Sequence, residues 1–217
     1  MRLGNTCRII GIEPWKAAIN RTYKKIRFYG INNIEIITGF AENIPLDNNS
    51  VDLIVSNYGL NNVDDLEQVL SECSRIIKSK GQFIQSFNLD STMFEFYEIF
   101  ETLLFELNMN SELQKIKMHI YKKRKPLDVF IKKIENNGFL INEVIKDKFE
   151  YKFIDGTTML NHFFIRLAFL NEWINIIPRK KQSQIFNELE LRMNKKSEAD
   201  SLFTLSVPFV VVDTEKK

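Results

Sequence analysis

The sequence predicts an α/β fold built on a doubly wound, largely parallel sheet. Short apolar runs alternate with amphipathic helical segments through the first half of the chain,. The strands expected at residues 34–38 and 51–56 are continuous apolar runs, which are typical of parallel strands buried on both faces,. A length of 217 residues suits one such domain,.

The first strand–helix unit is predicted at residues 8–30. An apolar run at 8–13 ends in Glu13, and Pro14 stands at a favoured first-turn position for a helix,. Trp15, Ile19 and Ile26 are expected to form the apolar face of that helix, which Gly30 ends,.

A second helix is predicted from an apolar stripe at i, i+3, i+4 and i+7 spacing. The stripe consists of Leu66, Val69, Leu70, Cys73, Ile76 and Ile77. Asp64 and Glu67 are expected to form its capping box, and Gly81 to end it before a strand at 82–87,.

The second half of the chain is predicted to be richer in helices. Helices are expected at 92–107, where Thr92 and Glu95 would form the cap, and at 111–122, 127–136, 157–176 and 180–196,. Strands are expected at 139–154 and 202–213. No low-complexity linker interrupts the chain, so a single domain at 1–217 with a helical insertion is predicted.

Charge and cysteine usage exclude several classes of protein. The 30 Lys and Arg residues nearly balance 28 Asp and Glu residues, which argues against a nucleic-acid partner,. The basic run at 115–125 is interpreted as a solvated helix face, with Met118 and Tyr121 turned inward and His119 solvated,. Cys7 and Cys73 form no zinc motif, and no stretch approaches 18 apolar residues, so a cytoplasmic protein without membrane or metal partners is expected,.

The small number of glycines excludes two common nucleotide-binding motifs. The chain has only eight glycines, and no two lie closer than seven residues. A Walker loop and a G-x-G fingerprint both need glycines a few positions apart, so neither is present. A nicotinamide-dependent oxidoreductase would need the G-x-G fingerprint, and this chain does not contain it,.

An acid at the end of a predicted strand is the first sign of a cofactor site. The Glu13 carboxylate can accept hydrogen bonds from both hydroxyls of a ribose, although a merely solvated acid is the common alternative,. Three segments strengthen the first interpretation, namely A-E-N-I-P at 41–45, D-N-N-S followed by V-D-L-I-V-S-N at 47–57, and R-I-I-K at 75–78.

Over residues 8–90 these motifs resemble the class I S-adenosylmethionine-dependent methyltransferases, specifically the type 11 small-molecule group. The resemblance implies a Rossmann-like sheet with antiparallel C-terminal strands at 139–154 and 202–213. It also implies a partial cofactor-binding half at 1–90, and helical substrate or cap elements at 91–138 and 155–200.

The resemblance implies that S-adenosyl-L-methionine is the cofactor and that Glu13 binds its ribose. Phe40, Ala41 and Glu42 would line the adenine pocket. The family often has an acid where Phe40 stands, so adenine recognition here would either rest on stacking or backbone contacts or be impaired. The segment after the third strand would face cofactor and acceptor through Ser56, Asn57, Tyr58, Asn61 and Asn62.

Methyl transfer asks the protein mainly to align donor and acceptor and, for some acceptors, to remove a proton. Candidate catalytic residues are Asn57, His162 and Arg166. His162 and Arg166 lie at i, i+4 on one predicted helix, although a structural role is somewhat favoured over a catalytic one for His162,. Nearby aromatic residues could line an apolar acceptor pocket, but helical spacing favours core packing for most of them. They are Phe94, Phe96, Tyr97, Phe163, Phe164, Phe169 and Trp173.

The resemblance also implies an N-terminal truncation. The family begins with a strand, a glycine-rich loop and a helix, about 30 residues in all, whereas seven residues precede the strand at 8–13,. The lost strand would lie between those at 8–13 and 51–56. Either these two strands pair directly, or another chain, such as a second copy in a homo-oligomer, covers the gap.

Two function hypotheses follow. The first is a methyltransferase for a small-molecule acceptor that is impaired or incomplete as this chain. The second is a catalytically inactive methyltransferase-like subunit that serves interaction or scaffolding.

Overall fold

A computed structural model describes residues 6–217. The strands are β1 Ile9–Glu13, β2 Ile34–Thr38, β3 Val51–Asn57, β4 Ile77–Asn88, β5 Phe139–Phe153 and β6 Phe203–Lys216. The α-helices are α1 Lys16–Phe28, α2 Leu66–Ile76, α3 Phe94–Glu106, α4 Asn110–Lys123, α5 Leu127–Asn136, α6 Gly156–Asn161, α7 Phe163–Ile165, α8 Asn171–Ile176 and α9 Gln182–Asp200. A π-helical turn, Arg166–Leu170, separates α7 from α8, and a 3₁₀ turn, Arg179–Lys181, precedes α9.

The strands form two sheets, which confirms the predicted α/β class. β1 and β2 are parallel, with Ile9 opposite Ile34 and Glu13 opposite Thr38. The other sheet has the order β3-β4-β6-β5, so the last strand lies between β4 and β5. The Thr214 hydroxyl donates a hydrogen bond to the Phe83 carbonyl, and the Leu89 N–H donates to the Pro208 carbonyl. Residue numbers rise along β4 as they fall along β6, so the two strands are antiparallel, as expected of the C-terminal strand.

The described chain divides into two compact units. Unit 1 holds the residues up to Gln85, Ile131–Glu143 and Asp213–Lys217, and unit 2 holds Ser86–Phe130 and Val144–Val212. The boundaries fall inside β4, β5 and β6, since each of these strands contributes residues to both units. The single domain at 1–217 stays a prediction.

The two strands expected to flank a lost central strand do not pair with each other in the described residues. β1 lies at the edge of one sheet and β3 at the edge of the other. Burial of β3 on both faces was predicted wrongly, because Leu53 is about half exposed and Val55 is 64% exposed. Alternate residues of a strand share a face, so β3 presents one apolar face to solvent.

Both N-terminal helices begin differently from the prediction, whereas α1 ends as predicted, because Gly30 follows its C-cap in a left-handed conformation with φ 61°,. α1 starts two residues after Pro14, and Trp15 is exposed at its N-cap, whereas Ile19 is buried as expected. Asp65, rather than Asp64, caps α2 by accepting a hydrogen bond from the Gln68 N–H at 3.1 Å,.

Helix α2 ends at Ile76, five residues before Gly81, because Ile77 is fully buried as the first residue of β4. Gly81 is therefore a strand residue and not a helix stop. A Cβ atom at Gly81 would lie 2.9 Å from the Lys78 carbonyl oxygen and 3.2 Å from that of Asp52. The glycine allows β4 to approach its neighbour β3 closely.

The expected cap of α3 is also replaced. Met93 stands at the N-cap with φ 61°, and the Thr92 hydroxyl donates to the Leu89 carbonyl. Glu95 turns inward, where its two carboxylate oxygens accept from the Ser206 N–H at 2.9 and 3.1 Å. The buried acid thus holds the backbone of β6 within unit 2.

The predicted orientation of α4 is wrong. Ile116 is fully buried and Ile120 packs against the same core, one turn apart. Met118 is 70% exposed and Tyr121 also faces solvent. His119, expected to be solvated, has only 15% of its side chain exposed.

The helix predicted at 157–176 is interrupted. α6 ends at Asn161, and His162 has extended backbone with ψ 132° before α7 begins. His162 and Arg166 consequently do not share one continuous helix, although the Arg166 N–H donates to the His162 carbonyl at 3.0 Å. The π-helical turn at Arg166–Leu170 adds a second irregularity,.

Candidate functional site

The carboxyl ends of β1 and β2 bring the predicted ribose and adenine residues together. The strands are parallel, so their carboxyl ends lie at the same edge of the sheet,. The Gly39 N–H donates to the Glu13 carbonyl at 3.3 Å, which joins the residue after β2 to the last residue of β1. Glu13 therefore stands beside the loop that carries Phe40, Ala41 and Glu42.

The carboxylate of Glu13 is half-buried and only partly engaged. Its Oε1 accepts a hydrogen bond from the Trp15 N–H at 2.9 Å. Pro14 has no N–H, so Trp15 is the first residue after the strand that can donate. No donor in residues 6–217 reaches Oε2, which leaves that oxygen able to accept from a ligand hydroxyl,.

Phe40 presents its ring to solvent at the start of the same loop. The ring is 65% exposed, and the Asn43 N–H donates to the Phe40 carbonyl at 3.2 Å, which closes a tight turn. An exposed aromatic face in the loop beside the end of β1 is suited to stacking on a nucleobase. Ala41 is half-buried within this turn.

The side chain of Glu42 contacts the backbone of the segment that precedes α2. Its Oε1 accepts from the Asp64 N–H at 3.1 Å and from the Asp65 N–H at 3.4 Å. The side-chain amide of Gln68 donates to the Glu42 carbonyl at 3.2 Å. The carboxylate of Glu42 thus ties the β2–β3 loop to the start of α2, a positioning role that the sequence did not reveal.

Two residues of α2 hold the remainder of this loop. Glu72 Oε2 accepts from the Ile44 N–H at 2.8 Å, and Arg75 Nη2 donates to the Ile44 carbonyl at 2.7 Å. Arg75 Nη1 also donates to the Leu46 carbonyl at 2.7 Å and to the Asn48 side chain at 2.9 Å. We call Glu72 and Arg75 the loop clamp.

The loop clamp was not predicted from the sequence, although the spacing of its two residues is that of an ion pair on a helix,. Glu72 and Arg75 lie at i, i+3 and are ion-paired at 2.7 Å. Hydrogen bonding by Arg75 lowers the pKa of Glu72, an effect that burial opposes and the Ile44 N–H supports. The clamp therefore carries a carboxylate stabilised in its charged form.

The segment after β3 forms a compact turn. Asn57 is exposed as the last residue of the strand, and Tyr58 takes a left-handed conformation with φ 56°. Asn62 donates from its side chain to the Tyr58 carbonyl at 3.1 Å and from its backbone to the Gly59 carbonyl at 3.0 Å. Asn57, like Glu13 and Glu42, belongs to unit 1.

The other two catalytic candidates belong to unit 2. The His162 ring packs against Phe153 and Phe163, with centroid separations of 5.4 and 4.8 Å. Its Nδ1 is buried and finds no partner in the described chain. Arg166 is exposed at the start of the π-helical turn. Their catalytic roles stay predictions.

Two further findings bear on ligands and membranes. Across residues 6–217, no cluster of three or more His, Cys, Asp or Glu side chains is arranged to hold a metal ion. Within the same residues, no helix combines the length and apolar character needed to cross a bilayer.

Comparison with known sequences supports the resemblance over the first part of the chain. Residues 1–85 match the methyltransferase domain family. A demethylmenaquinone methyltransferase of Listeria welshimeri is 39% identical over 80 residues, which cover 37% of this chain and 34% of the relative. A demethylmenaquinone methyltransferase of Oceanobacillus iheyensis is 30% identical over 82 residues, 38% of this chain and 34% of that protein. The chain spans about a third of the length of these relatives.

Comparison with solved structures extends the likeness of fold to nearly the whole chain. The YcgJ protein of Bacillus subtilis aligns with a TM-score of 0.58 at 13% identity, covering 97% of this chain and 82% of that one. Geranyl diphosphate C-methyltransferase of Streptomyces coelicolor, solved with S-adenosyl-L-homocysteine, aligns with a TM-score of 0.53 at 13% identity over 98% and 64%. Together the matches confirm the predicted resemblance to class I methyltransferases and the Rossmann-like fold.

Proposed function

We propose that this chain is a methyltransferase, or part of one, that uses S-adenosyl-L-methionine to methylate a small molecule. The observation that carries the proposal is the half-buried Glu13 carboxylate, which keeps one oxygen without a donor among residues 6–217, at the strand edge whose adjacent loop exposes the Phe40 ring. The demethylmenaquinone methyltransferases that align with 82 and 80 residues of this chain support a small-molecule acceptor.

The residues at this edge fit the nucleoside half of the cofactor. A carboxylate oxygen accepts from ribose hydroxyls, and Phe40 supplies a stacking surface for the adenine,. The loop clamp and Glu42 hold the Phe40 loop in place through backbone contacts. When bound, the cofactor supplies the methyl group from its sulfonium, and the contribution of these residues is to orient it.

The methionine half of the cofactor has no glycine-rich cradle in the printed sequence. We therefore propose that the nucleoside contacts provide most of the affinity in this chain. Weak binding is expected, with a dissociation constant of about 0.1–1 mM, because one side of the ligand stays solvated.

Isothermal titration calorimetry with S-adenosylhomocysteine tests the cofactor site. We expect Glu13→Gln to weaken binding by about 10-fold or more, because it removes a charge-assisted acceptor of the ribose hydroxyls. Glu143→Gln is the matched control, since Glu143 is an exposed acid in the same unit. Phe40→Ala should weaken binding by several-fold, whereas Phe28→Ala, at another exposed ring of the same unit, should not.

The outcomes separate binding from turnover. No heat with the wild-type chain at about 1 mM S-adenosylhomocysteine would overturn the cofactor assignment. Binding that is insensitive to both Glu13→Gln and Phe40→Ala would place the cofactor elsewhere. Transfer of labelled methyl from S-adenosylmethionine to a short-chain demethylmenaquinone then tests whether the bound cofactor is used.

A non-catalytic interaction subunit is the second candidate. The observation that favours it is the pair of sheet edges at β1 and β3, together with the exposed Leu53 and Val55 side chains. Open edges and apolar faces promote strand pairing with another chain. A second copy of this chain is the partner proposed.

Sedimentation velocity tests this second candidate. We expect the wild-type chain to dimerise at micromolar concentration and Val55→Lys to shift it to monomer. Leu167→Lys is the control, because Leu167 is an exposed apolar residue of unit 2. A wild-type monomer at about 0.1 mM would contradict the dimer.

A further inference from the structure

Arg124 is a buried cation that lacks an acceptor. It follows α4 at the C-cap, and only 5% of its surface is exposed. Its Nη1 is buried without a hydrogen-bond partner, and no ion pair of Arg124 occurs among residues 6–217. Arginine is almost never fully buried unless it is paired, because an uncompensated charge is costly to remove from water.

The contact that Arg124 does make is aromatic. Its guanidinium carbon lies 5.9 Å from the centroid of the Phe169 ring. A cation–π contact of this kind favours the charge and holds the guanidinium plane, but it accepts none of the N–H groups in the plane. The Nη1 donors therefore remain available.

The aromatic groups behind Phe169 are already engaged with one another. Phe169 stacks on Trp173 with a centroid separation of 5.6 Å, and the indole N–H of Trp173 donates to the Tyr97 hydroxyl at 3.0 Å. Phe169 itself lies in the π-helical turn Arg166–Leu170. Such turns are rare and occur often at functional sites, where they reorient side chains.

The charges around Arg124 leave a positive excess. Glu172 accepts from Lys123 at 2.9 Å and lies 3.7 Å from His119 Nδ1, so its carboxylate is already engaged by Lys123. Burial lowers the pKa of His119; Glu172 raises it, and Lys123, Arg124 and Lys122 lower it further. The neutral imidazole adds no positive charge. Of the charged groups that act on His119 in the described chain, Lys122, Lys123 and Arg124 outnumber Glu172.

We propose that Arg124 is the anion-binding group of a ligand site in unit 2, which takes the carboxylate or phosphate of a small molecule. The flat guanidinium, held over Phe169, presents its N–H donors in the geometry that these anions accept,. Phe169, which contacts the guanidinium, is itself half-buried and so lies at the surface of the unit. The assignment is independent of methyl transfer.

Titration with simple anions tests the site in the whole chain. Inorganic phosphate and citrate are added at constant ionic strength, with sodium chloride as balance, and Tm is recorded. At ten times the dissociation constant of the better anion, Tm should rise by roughly 3–5 °C. Phosphate and citrate are separate arms, so the larger shift shows which anion the site prefers.

Two substitutions give the contrast. Arg124→Met keeps the length of the side chain and removes the charge, and we expect it to abolish the anion-dependent rise in Tm. Arg179→Gln is the control, since Arg179 is an exposed arginine of the same unit, and it should respond like wild type. A response of Arg124→Met equal to that of wild type, or no response of wild type to either anion, would overturn the proposal.

If Arg124→Met does not fold, a fluorescence titration with the same anions tests the site in a variant that retains Arg124. Trp15 is the second tryptophan, exposed in unit 1, so Trp15→Phe leaves Trp173 as the sole indole reporter. Because Trp173 stacks on Phe169, a bound anion at Arg124 should change its emission with a saturating dependence on phosphate or citrate. An emission that changes no more than in sodium chloride would refute the site.

Discussion

The guanidinium of Arg75 donates two hydrogen bonds to the carboxylate of Glu72, from Nε to Oε1 at 2.7 Å and from Nη2 to Oε2 at 2.8 Å. The same two side chains bind the N–H and the carbonyl of Ile44. A bidentate pair thus fixes the backbone of the loop that begins with Phe40. The candidate cofactor site depends on α2 residues that would not touch the cofactor.

Glu72→Gln should lower Tm at neutral pH, because a neutral amide cannot replace both acceptors of the loop clamp. Hydrogen bonding by Arg75 places the pKa of Glu72 below its usual value of 4.5. A lowered folded-state pKa contributes stability that is full above the unfolded pKa and is lost as the pH falls through the folded pKa. The Tm difference should be constant above about pH 5 and shrink below it.

Thermal unfolding of wild type and Glu72→Gln between about pH 3 and pH 7 measures this difference. Glu143→Gln, at an exposed acid, controls for the general effect of removing one charge. A Tm difference that persists unchanged at the acid end would contradict the assignment of the carboxylate to the clamp.

Glu42→Ala should release the segment before α2. The carboxylate of Glu42 accepts from the Asp64 and Asp65 N–H groups, so its loss should raise their hydrogen exchange by about 5-fold, equivalent to about 1 kcal/mol,. Hydrogen–deuterium exchange with mass spectrometry checks the peptide that contains both residues. Unchanged exchange there, with Glu143→Ala as reference, would argue against this bond.

Tyr97→Phe should destabilise unit 2 by about 1–3 kcal/mol, because it leaves the buried indole N–H of Trp173 without an acceptor,. Tyr121→Phe removes an exposed hydroxyl and should change stability by less than about 0.5 kcal/mol,. Urea unfolding followed by fluorescence compares the two. Equal stability of both variants would show that Trp173 finds another acceptor.

Cys73 should resist alkylation in the folded protein. Burial raises the pKa of its thiol to about 12, so almost no thiolate is present at pH 8,. Cys7 is half-buried and should react with iodoacetamide first. Peptide mass spectrometry distinguishes the two sites, and Cys7→Ser should take up reagent only after urea is added. Equal labelling of both cysteines in the native state would be inconsistent with the burial of Cys73.

The strands and most helices could be predicted because their signals are local. The apolar run that ends in Glu13 became β1, and the stripe from Leu66 to Ile76 became α2. The ends of the elements were predicted less accurately. Ile77 continues the helical stripe and also begins an apolar strand, and only its burial in β4 decides between them. On α4, Met118 and Tyr121 offered a second apolar face that the core does not use.

The candidate site was predicted in part. Glu13 and Phe40 are recognisable because a strand end and a short motif identify them. The contacts of Glu42 with Asp64 and Asp65 join residues 22 and 23 positions apart, and Arg75 reaches Leu46 across 29 positions. Such pairs leave no periodic trace in the sequence, because only chain folding brings them within hydrogen-bond distance.

The sequence by itself determined the α/β class, the order of most elements, the acid that ends β1 and the scarcity of glycine. These follow from local periodicity and residue type, which act over a few neighbouring residues. Tertiary structure alone decided that β1 and β3 lie at the edges of separate sheets in the described chain, that Glu72 and Arg75 clamp a loop, and that Arg124 is buried without an acceptor. Strand pairing and burial depend on contacts between residues that are far apart in the sequence, and only the folded chain brings those residues together.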